Sequence, residues 1–162
     1  MATLGKLEAA ALAKHGAALV AKLEDSDLHV RREVVATLWK LERTALAEHG
    51  AALVAKLEDS DSQVLPLVVA TLGKLEAAAL AEHGAALVAK LEDSSAGVRK
   101  EVVSTLGKLE AAALAEHGAA LVAKLEDSDT PVRREVVSTL GKLEAAALAE
   151  HGAALVLSLI HI

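Results

Sequence analysis

One short segment of this sequence returns five times at a constant interval, and that regularity restricts the chain to a small set of folds. The segment is Thr-Leu-Gly-Lys-Leu-Glu, with Trp in place of Gly in one copy, and it begins at Thr3, Thr37, Thr71, Thr105 and Thr139. The interval is 34 residues, and a histidine recurs at the same interval from His15 to His151. Self-similarity at such a period indicates stacked copies of one supersecondary unit.

Each period contains two groups of apolar residues at helical spacing, so we predict two helices per repeat. In the first period these residues are Leu12, Leu19, Val20 and Leu23, then Val30, Val34, Val35, Leu38 and Leu41. Asp27 lies between the groups, where its carboxylate can accept hydrogen bonds from the first turn of the second helix. Asp61, Ser95 and Asp129 are expected to cap in the same way, and the next repeat is expected to begin near Glu42.

A glycine follows each histidine and falls inside the predicted first helix. The five glycines are Gly16, Gly50, Gly84, Gly118 and Gly152. Glycine inside a helix costs about 1 kcal/mol relative to alanine. These positions therefore predict a bend or a close contact between helices.

A single hairpin of this length cannot bury its own apolar face, so the repeats must stack on one another. The pattern Asp-x-x-Val-Arg at Asp27 to Arg31 and Asp129 to Arg133, followed by Val-Val-x-Thr-Leu-Gly-Lys-Leu, resembles the second helix of HEAT repeats. The resemblance covers residues 1–156. It implies an all-α fold, a right-handed α-solenoid of stacked two-helix hairpins with about four and a half repeats. HEAT-like proteins include scaffolds, transport adaptors, chromophore-lyase subunits and a few DNA-binding enzymes, so the fold alone does not give a function.

Residues 157–162 fit no position of the repeat, and we interpret them as a tail outside the array without a functional role. They resemble the start of a translated sequencing adapter. We expect the array to be truncated at both ends, because neither end shows a polar capping repeat. Uncapped repeat faces would favour end-to-end self-association.

The composition weakens several classes of function. The chain has no Phe or Tyr and a single Trp, which removes the aromatic platforms on which bases stack. Its formal charge of -6 disfavours a nucleic-acid partner. There is no cysteine, and no apolar stretch is long enough to span a membrane. We expect a cytoplasmic protein that binds neither nucleic acid nor membrane.

Catalytic, cofactor and metal sites are not predicted. Successive histidines should lie about 8 to 10 Å apart, too far to share a zinc ion. The paired aspartates of each turn are too few for a calcium site, and capping explains them. Ser, His and Asp recur as parts of the repeat without the context of a nucleophile, and no phosphate-binding loop is present.

Arginine and lysine pairs follow the predicted cap in three of the repeats, at Arg31-Arg32, Arg99-Lys100 and Arg133-Arg134. They could form a basic stripe for phosphate. Leu65-Pro66-Leu67 interrupts that stripe, and each hairpin carries several acidic residues. We therefore favour ion pairing with Asp and Glu of the same or the adjacent repeat, as in the ladders of HEAT-like repeats.

Contact residues are expected where the copies differ within conserved surroundings. Just after the cap these positions are Leu28-His29, Ser62-Gln63, Ala96-Gly97 and Thr130-Pro131. In HEAT-like arrays this turn lies at or beside the concave surface. Trp39 and Leu65 depart from the repeat as well and could expose an apolar anchor for a peptide, since Trp is enriched at binding hot spots. Pro66 predicts a late start or a kink of its helix.

The sequence thus favours a protein–protein interaction scaffold that binds a protein or peptide on the concave or inter-repeat surface. We expect this scaffold to have no cofactor and to catalyse no reaction. The alternative is a non-catalytic or lyase-type subunit of a complex that modifies a chromophore or a protein. A solenoid that binds nucleic acid, and a fragment that only associates through its ends, are further possibilities.

Overall fold

The computed structural model describes residues 11–59, 61 and 63–143, and none of these residues lies in a β-strand. Four second helices span Leu28–Leu38, Leu65–Leu72, Ala96–Leu106 and Thr130–Leu140. Each is preceded by shorter helical segments: Gly16–Ala21, then Arg43–Ala47 and Gly50–Ala55, then Ala77–Ala81 and Gly84–Ala89, then Ala111–Glu116 and Gly118–Ala123. Single 3₁₀ turns over Lys22–Glu24, Lys56–Glu58, Lys90–Glu92 and Lys124–Glu126 lead into the loops before the second helices. The described repeats thus lie within residues 11–41, 42–75, 76–109 and 110–143.

The first helix of each repeat is interrupted at the histidine. His49 has φ -110° and ψ 4°, outside the helical region, and His83 and His117 have nearly the same angles. The His49 amide donates to the carbonyl of Leu46, three residues back, so the first segment closes with a tight turn before the next begins at Gly50. The predicted bend is therefore confirmed, and it divides the first helix into two short segments.

The glycines also mark the predicted close contact between repeats. A Cβ atom on Gly50 would lie 2.6 Å from Nε2 of His83 in the following repeat, and Gly16 and Gly84 face His49 and His117 in the same way. Each imidazole therefore packs directly on the glycine of the preceding repeat. The histidines at 34-residue spacing fill the joint between repeats.

The contact between Gly84 and His117 predicts that mutations at these two positions have coupled effects on stability. Gly84→Ala should lower the free energy of unfolding by about 1 kcal/mol, because overpacking costs about 1 to 3 kcal/mol and the helical preference of alanine offsets part of it. Gly84→Ala combined with His117→Ala should recover most of the loss that either change causes. Urea unfolding followed by circular dichroism measures the difference. Gly97→Ala is the control, since its Cβ would meet only Ser95 Oγ at 3.6 Å and should be neutral or stabilising; equal losses at the two glycines would contradict the joint.

The core runs continuously along the stack. Each second helix packs along the second helix of the preceding repeat and against the first-helix segments of its own. Most of the predicted apolar positions form this core, with Leu38, Leu72, Leu106 and Leu140 fully buried, and Leu12, Leu19 and Val20 pack against it partly buried. Val30 is an exception at 37% exposure, whereas its equivalents Val64, Val98 and Val132 are buried. Val30 belongs to the first repeat, which has no described repeat before it.

The aspartates before the second helices have two different roles. Asp27 accepts a hydrogen bond from the amide of His29 at 2.7 Å, and Asp129 accepts one from Val132 at 3.1 Å, so both cap their helices as predicted. Asp61 accepts from the amide of Gln63 at 2.7 Å, but its helix begins only at Leu65 with Val64 at the cap position, so the bond closes a turn and the cap prediction for Asp61 was wrong. Ser95 holds the cap position, but its side chain makes no capping bond, so that part of the prediction was wrong.

The second helix of the repeat at 42–75 is shorter than its counterparts. It begins at Leu65, whereas the equivalent helices begin at Leu28, Ala96 and Thr130. Pro66 lies in its first turn, where its missing N–H breaks no helical hydrogen bond. The predicted late start is confirmed.

Candidate functional site

Two of the predicted basic residues are used to join the repeats. Arg99 donates to both carboxylate oxygens of Asp127, at 2.8 and 2.7 Å, and Arg31 binds Asp59 in the same manner. Arg99 also donates to the carbonyls of Asp93 and Ser94 in its own repeat. The ion-pairing prediction is confirmed for these arginines.

The Arg99–Asp127 pair is almost completely buried, with 11% and 4% of the two side chains exposed. The hydrogen bond from Arg99 holds the pKa of Asp127 below its ordinary value, although burial acts in the opposite direction. The same bond raises the pKa of Arg99. Both groups are therefore charged, and each is the main compensation for the other.

Lysines form two further kinds of contact between repeats, ion pairs with glutamates and hydrogen bonds to backbone carbonyls. Lys56, Lys90 and Lys124 each pair with a glutamate of the preceding repeat, at 2.7 to 2.9 Å. Lys142 donates to the carbonyl of Gly107 at 3.0 Å, and Lys74 donates to the carbonyls of Trp39 and Leu41. Those carbonyls end the preceding second helix, where a cation is favoured by the helix dipole.

One side of every second helix remains uncovered by the stack. In the first repeat it consists of His29, Arg32, Glu33, Ala36, Trp39 and Lys40, which follow one another at helical spacing and are exposed or half-buried. We term these positions, with their equivalents at 34-residue intervals, the second-helix surface. The predicted contact residues His29, Gln63, Gly97 and Pro131 are exposed on it, one per repeat.

The other members of the predicted pairs contribute less. Leu28, Ala96 and Thr130 are half-buried, and Ser62 lies outside the described residues. Gln63 accepts a hydrogen bond from Arg32 at 3.0 Å, and Thr130 accepts one from Arg133 at 2.8 Å. These two bonds give Gln63 and Thr130 a structural role as well.

An apolar groove lies on the second-helix surface between the first two repeats. Trp39, 44% exposed, forms one wall and Leu67, 37% exposed, forms the other. The cavity of about 330 Å³ is completed by Val35, Ala36, Ala70 and Thr71. The Lys74 ammonium lies 5.6 Å from the centre of the Trp39 ring, in cation–π range, and holds the indole in place.

Leu65 does not belong to this groove, which corrects its prediction as an anchor. It is 5% exposed and packs in the core, at the position that Arg31 and Arg99 occupy in other repeats. Leu67 takes the exposed position instead. A signal for this was present in the sequence, because the residues equivalent to Leu67 are Glu33, Glu101 and Glu135, which mark a solvent-facing position.

A second cavity of about 350 Å³ adjoins the groove and shares Ala36 and Leu67 with it. His29, Arg32 and Glu33 line it, so the predicted residues His29 and Trp39 line two adjoining cavities along the same helix. The Nε atom of Arg32 is buried without a hydrogen-bond partner in the described part of the chain. Polar and apolar lining thus meet along the groove.

The charge of the second-helix surface is opposite to that of the whole chain. Its basic residues are Arg32, Lys40, Lys74, Lys100, Lys108, Arg134 and Lys142, and its acidic residues are Glu33, Glu101 and Glu135. The described part of this surface carries a net charge of +4, seven cations against three carboxylates, whereas the whole chain carries -6. Lys100 and Arg134 are exposed and form no ion pair within the described residues.

The described ranges contain no group of three His, Asp or Glu side chains arranged to hold a metal ion. Nor do they contain a helix with the length and hydrophobicity needed to cross a bilayer.

Comparison with solved structures places the fold. The chain superposes on a designed armadillo repeat protein in complex with the peptide (KR)4 with a TM-score of 0.73, at 26% identity, over 96% of this chain and 75% of that one. A second match is to computationally designed armadillo repeat proteins for modular peptide recognition, with a TM-score of 0.68 and 27% identity over 91% of this chain and 72% of that one. The protein is a HEAT/armadillo-like α-solenoid.

The solenoid also resembles the complex of CpcE and CpcF of phycocyanin lyase from Nostoc sp., with a TM-score of 0.60. The identity is 15%, over 90% of this chain and 98% of that one, so this likeness concerns the fold alone. No protein-family model and no curated protein matches the sequence of the solenoid.

Proposed function

We propose that this solenoid is a non-catalytic scaffold that binds an extended peptide or protein segment along its second-helix surface. The groove between Trp39 and Leu67 is the observation that carries the proposal, because large apolar side chains are left exposed there in an otherwise well-buried array. Structurally similar armadillo repeat proteins bind peptides, which supports the same class of partner. The binding needs no cofactor.

The packing of the stack supports a concave second-helix surface. Second helices of adjacent repeats pack along one another more extensively than the first-helix segments of adjacent repeats do. A stack whose layers have unequal spacing curves toward the more tightly spaced layer, which then lines the inside of the curve. A concave surface of this kind contacts an extended chain over several repeats.

Two substitutions remove the groove and keep the repeat intact. Trp39→Gly and Leu67→Glu each introduce the residue found at the equivalent position of the other described repeats, so the fold should tolerate both. We expect a displayed library of random peptides to yield an enriched motif on the parent protein and to lose it on the double variant. A library that enriches no motif, or the same motif on both proteins, would contradict the proposed site. Circular dichroism of the double variant establishes that it is folded.

A further inference from the structure

Building on the proposed function, we propose that the partner segment is an acidic peptide with a single bulky apolar anchor. The anchor fills the groove between Trp39 and Leu67. Acidic side chains about three and six residues from the anchor pair with Lys100 and Arg134 on the next two second helices.

The groove is suited to one large side chain. Its lining by Trp39, Leu67, Val35 and two alanines is apolar, and its volume of about 330 Å³ admits a large aliphatic or aromatic side chain with room to spare. The Lys74 ammonium already contacts the Trp39 ring in cation–π range, which favours the orientation of the indole that forms the groove. Beyond the groove, the equivalents of Ala36 and Ala70 are Ser104 and Ser138, and the equivalents of Trp39 are glycines. The apolar contact is therefore confined to the first two repeats.

The remaining surface selects the charge of the partner. Lys100, Lys108, Arg134 and Lys142 outnumber Glu101 and Glu135 in the last two described repeats. Arg99 is buried in its pair with Asp127 and cannot contribute, whereas Lys100 and Arg134 are exposed and have no ion-pair partner among the described residues. Cations without a partner attract carboxylates and would repel a basic peptide.

The spacing follows from the stack. Neighbouring helices pack about 8 to 10 Å apart, and an extended chain advances about 3.3 to 3.6 Å per residue. One repeat thus corresponds to about three residues of the partner. Lys100 lies one repeat beyond Leu67 along the stack, and Arg134 lies two repeats beyond it.

A peptide fits these features better than a nucleic acid does. Single-stranded nucleic acid needs a series of stacking aromatic rings, and Trp39 is the single aromatic side chain of the sequence. The surface also interleaves Glu33, Glu101 and Glu135 with its cations, which would repel a continuous phosphate backbone. An oligonucleotide is therefore used below as a competing probe.

Because Trp39 is the single Trp of the chain, its fluorescence reports directly on the groove. The probes are short peptides with one leucine anchor and Gly-Ser filler. They are used unlabelled to follow the emission of Trp39 and fluorescein-labelled to measure anisotropy. They carry Glu three and six residues from the anchor on either side, or Lys or Ser at the same positions. We expect the Glu peptide to shift the Trp39 emission to the blue and to bind at least about tenfold more tightly than the Lys peptide.

The variants test the apolar groove and the basic residues separately for their contributions to peptide binding. Lys100→Glu with Arg134→Glu should weaken the Glu peptide about tenfold or more, as measured by fluorescence anisotropy. Lys14→Glu with Arg43→Glu makes the same change in net charge away from the second-helix surface and should have little effect. Trp39→Gly should weaken the labelled Glu peptide about 30-fold, the loss typical of a hot-spot residue.

Each result bears on one of the two proposals. Equal binding of the Glu, Ser and Lys peptides would overturn the acidic preference and leave the peptide-binding function standing. Tighter binding of a single-stranded oligonucleotide than of the Glu peptide, with quenching of Trp39, would overturn the peptide in favour of nucleic acid. If no peptide binds and the random library also enriches none, the proposed function itself fails.

Discussion

Asp127→Asn is expected to lower the free energy of unfolding by about 3 kcal/mol, because it leaves the guanidinium of Arg99 buried without its charged partner. The substitution keeps the size of the side chain and the oxygen that accepts from the Asp129 amide at 2.9 Å. The loss therefore reports on the ion pair rather than on the turn. Urea unfolding monitored by circular dichroism gives the difference.

The adjacent repeat supplies a matched control. Asp93 is the equivalent residue and makes the same turn with the amide of Ser95, but Leu65 replaces the arginine that would face it, and Asp93 is half-buried rather than buried. Asp93→Asn should therefore change stability by less than about 0.5 kcal/mol. Arg99→Leu combined with Asp127→Asn should recover much of the loss, because no unpaired charge then remains. Equal effects at Asp93 and Asp127 would contradict the assigned role of the pair.

The pH dependence of the same variant provides a second measurement. The pKa of Asp127 is lowered in the folded state, so its contribution is present above about pH 4, the range of an unperturbed aspartate, and is lost as the pH falls through the folded pKa. The stability difference between the parent and Asp127→Asn should shrink in that acidic range. A constant difference down to acid unfolding would exclude this linkage.

Leu106→Ala is expected to cost about 2 to 5 kcal/mol, the range for deletion of a fully buried leucine side chain. Leu106 is 0% exposed in the second helix that packs against both neighbouring second helices. Because each repeat is stabilised through its neighbours, a cavity here weakens the contacts on both sides. Chemical unfolding of the whole chain measures the loss, and hydrogen exchange should accelerate in all three of these helices.

Leu67→Ala is the control for this cavity. It removes the same atoms from a second helix, but Leu67 is 37% exposed and lies in the groove, so the stability loss should be below about 1 kcal/mol. Its main effect should fall on peptide binding. A loss at Leu67 as large as that at Leu106 would mean that the groove is part of the core and is not a binding site.

Much of the site could have been predicted from the repeat, and some of it was. The first-turn residues His29, Gln63, Gly97 and Pro131 are exposed as expected, because a position that varies in an otherwise constant repeat is under little packing constraint. Leu65 and Leu67 were harder to distinguish, since both are leucines beside a proline. Only the alignment of Leu67 with Glu33, Glu101 and Glu135 in the other repeats reveals its outward orientation. The helix of Leu67 also starts later than its counterparts, at Leu65.

The sequence alone determined the 34-residue repeat, the second helices, the aspartate caps of two of them and most of the buried Val and Leu positions. These depend on spacings within a few residues, which local backbone geometry fixes. The tertiary structure decided which arginine is buried against Asp127, that His83 covers Gly50, and that Trp39 and Leu67 form one groove. Each of these contacts joins residues about one repeat apart, so it depends on how the hairpins stack, and the same residue types occur at many positions that the stack leaves apart.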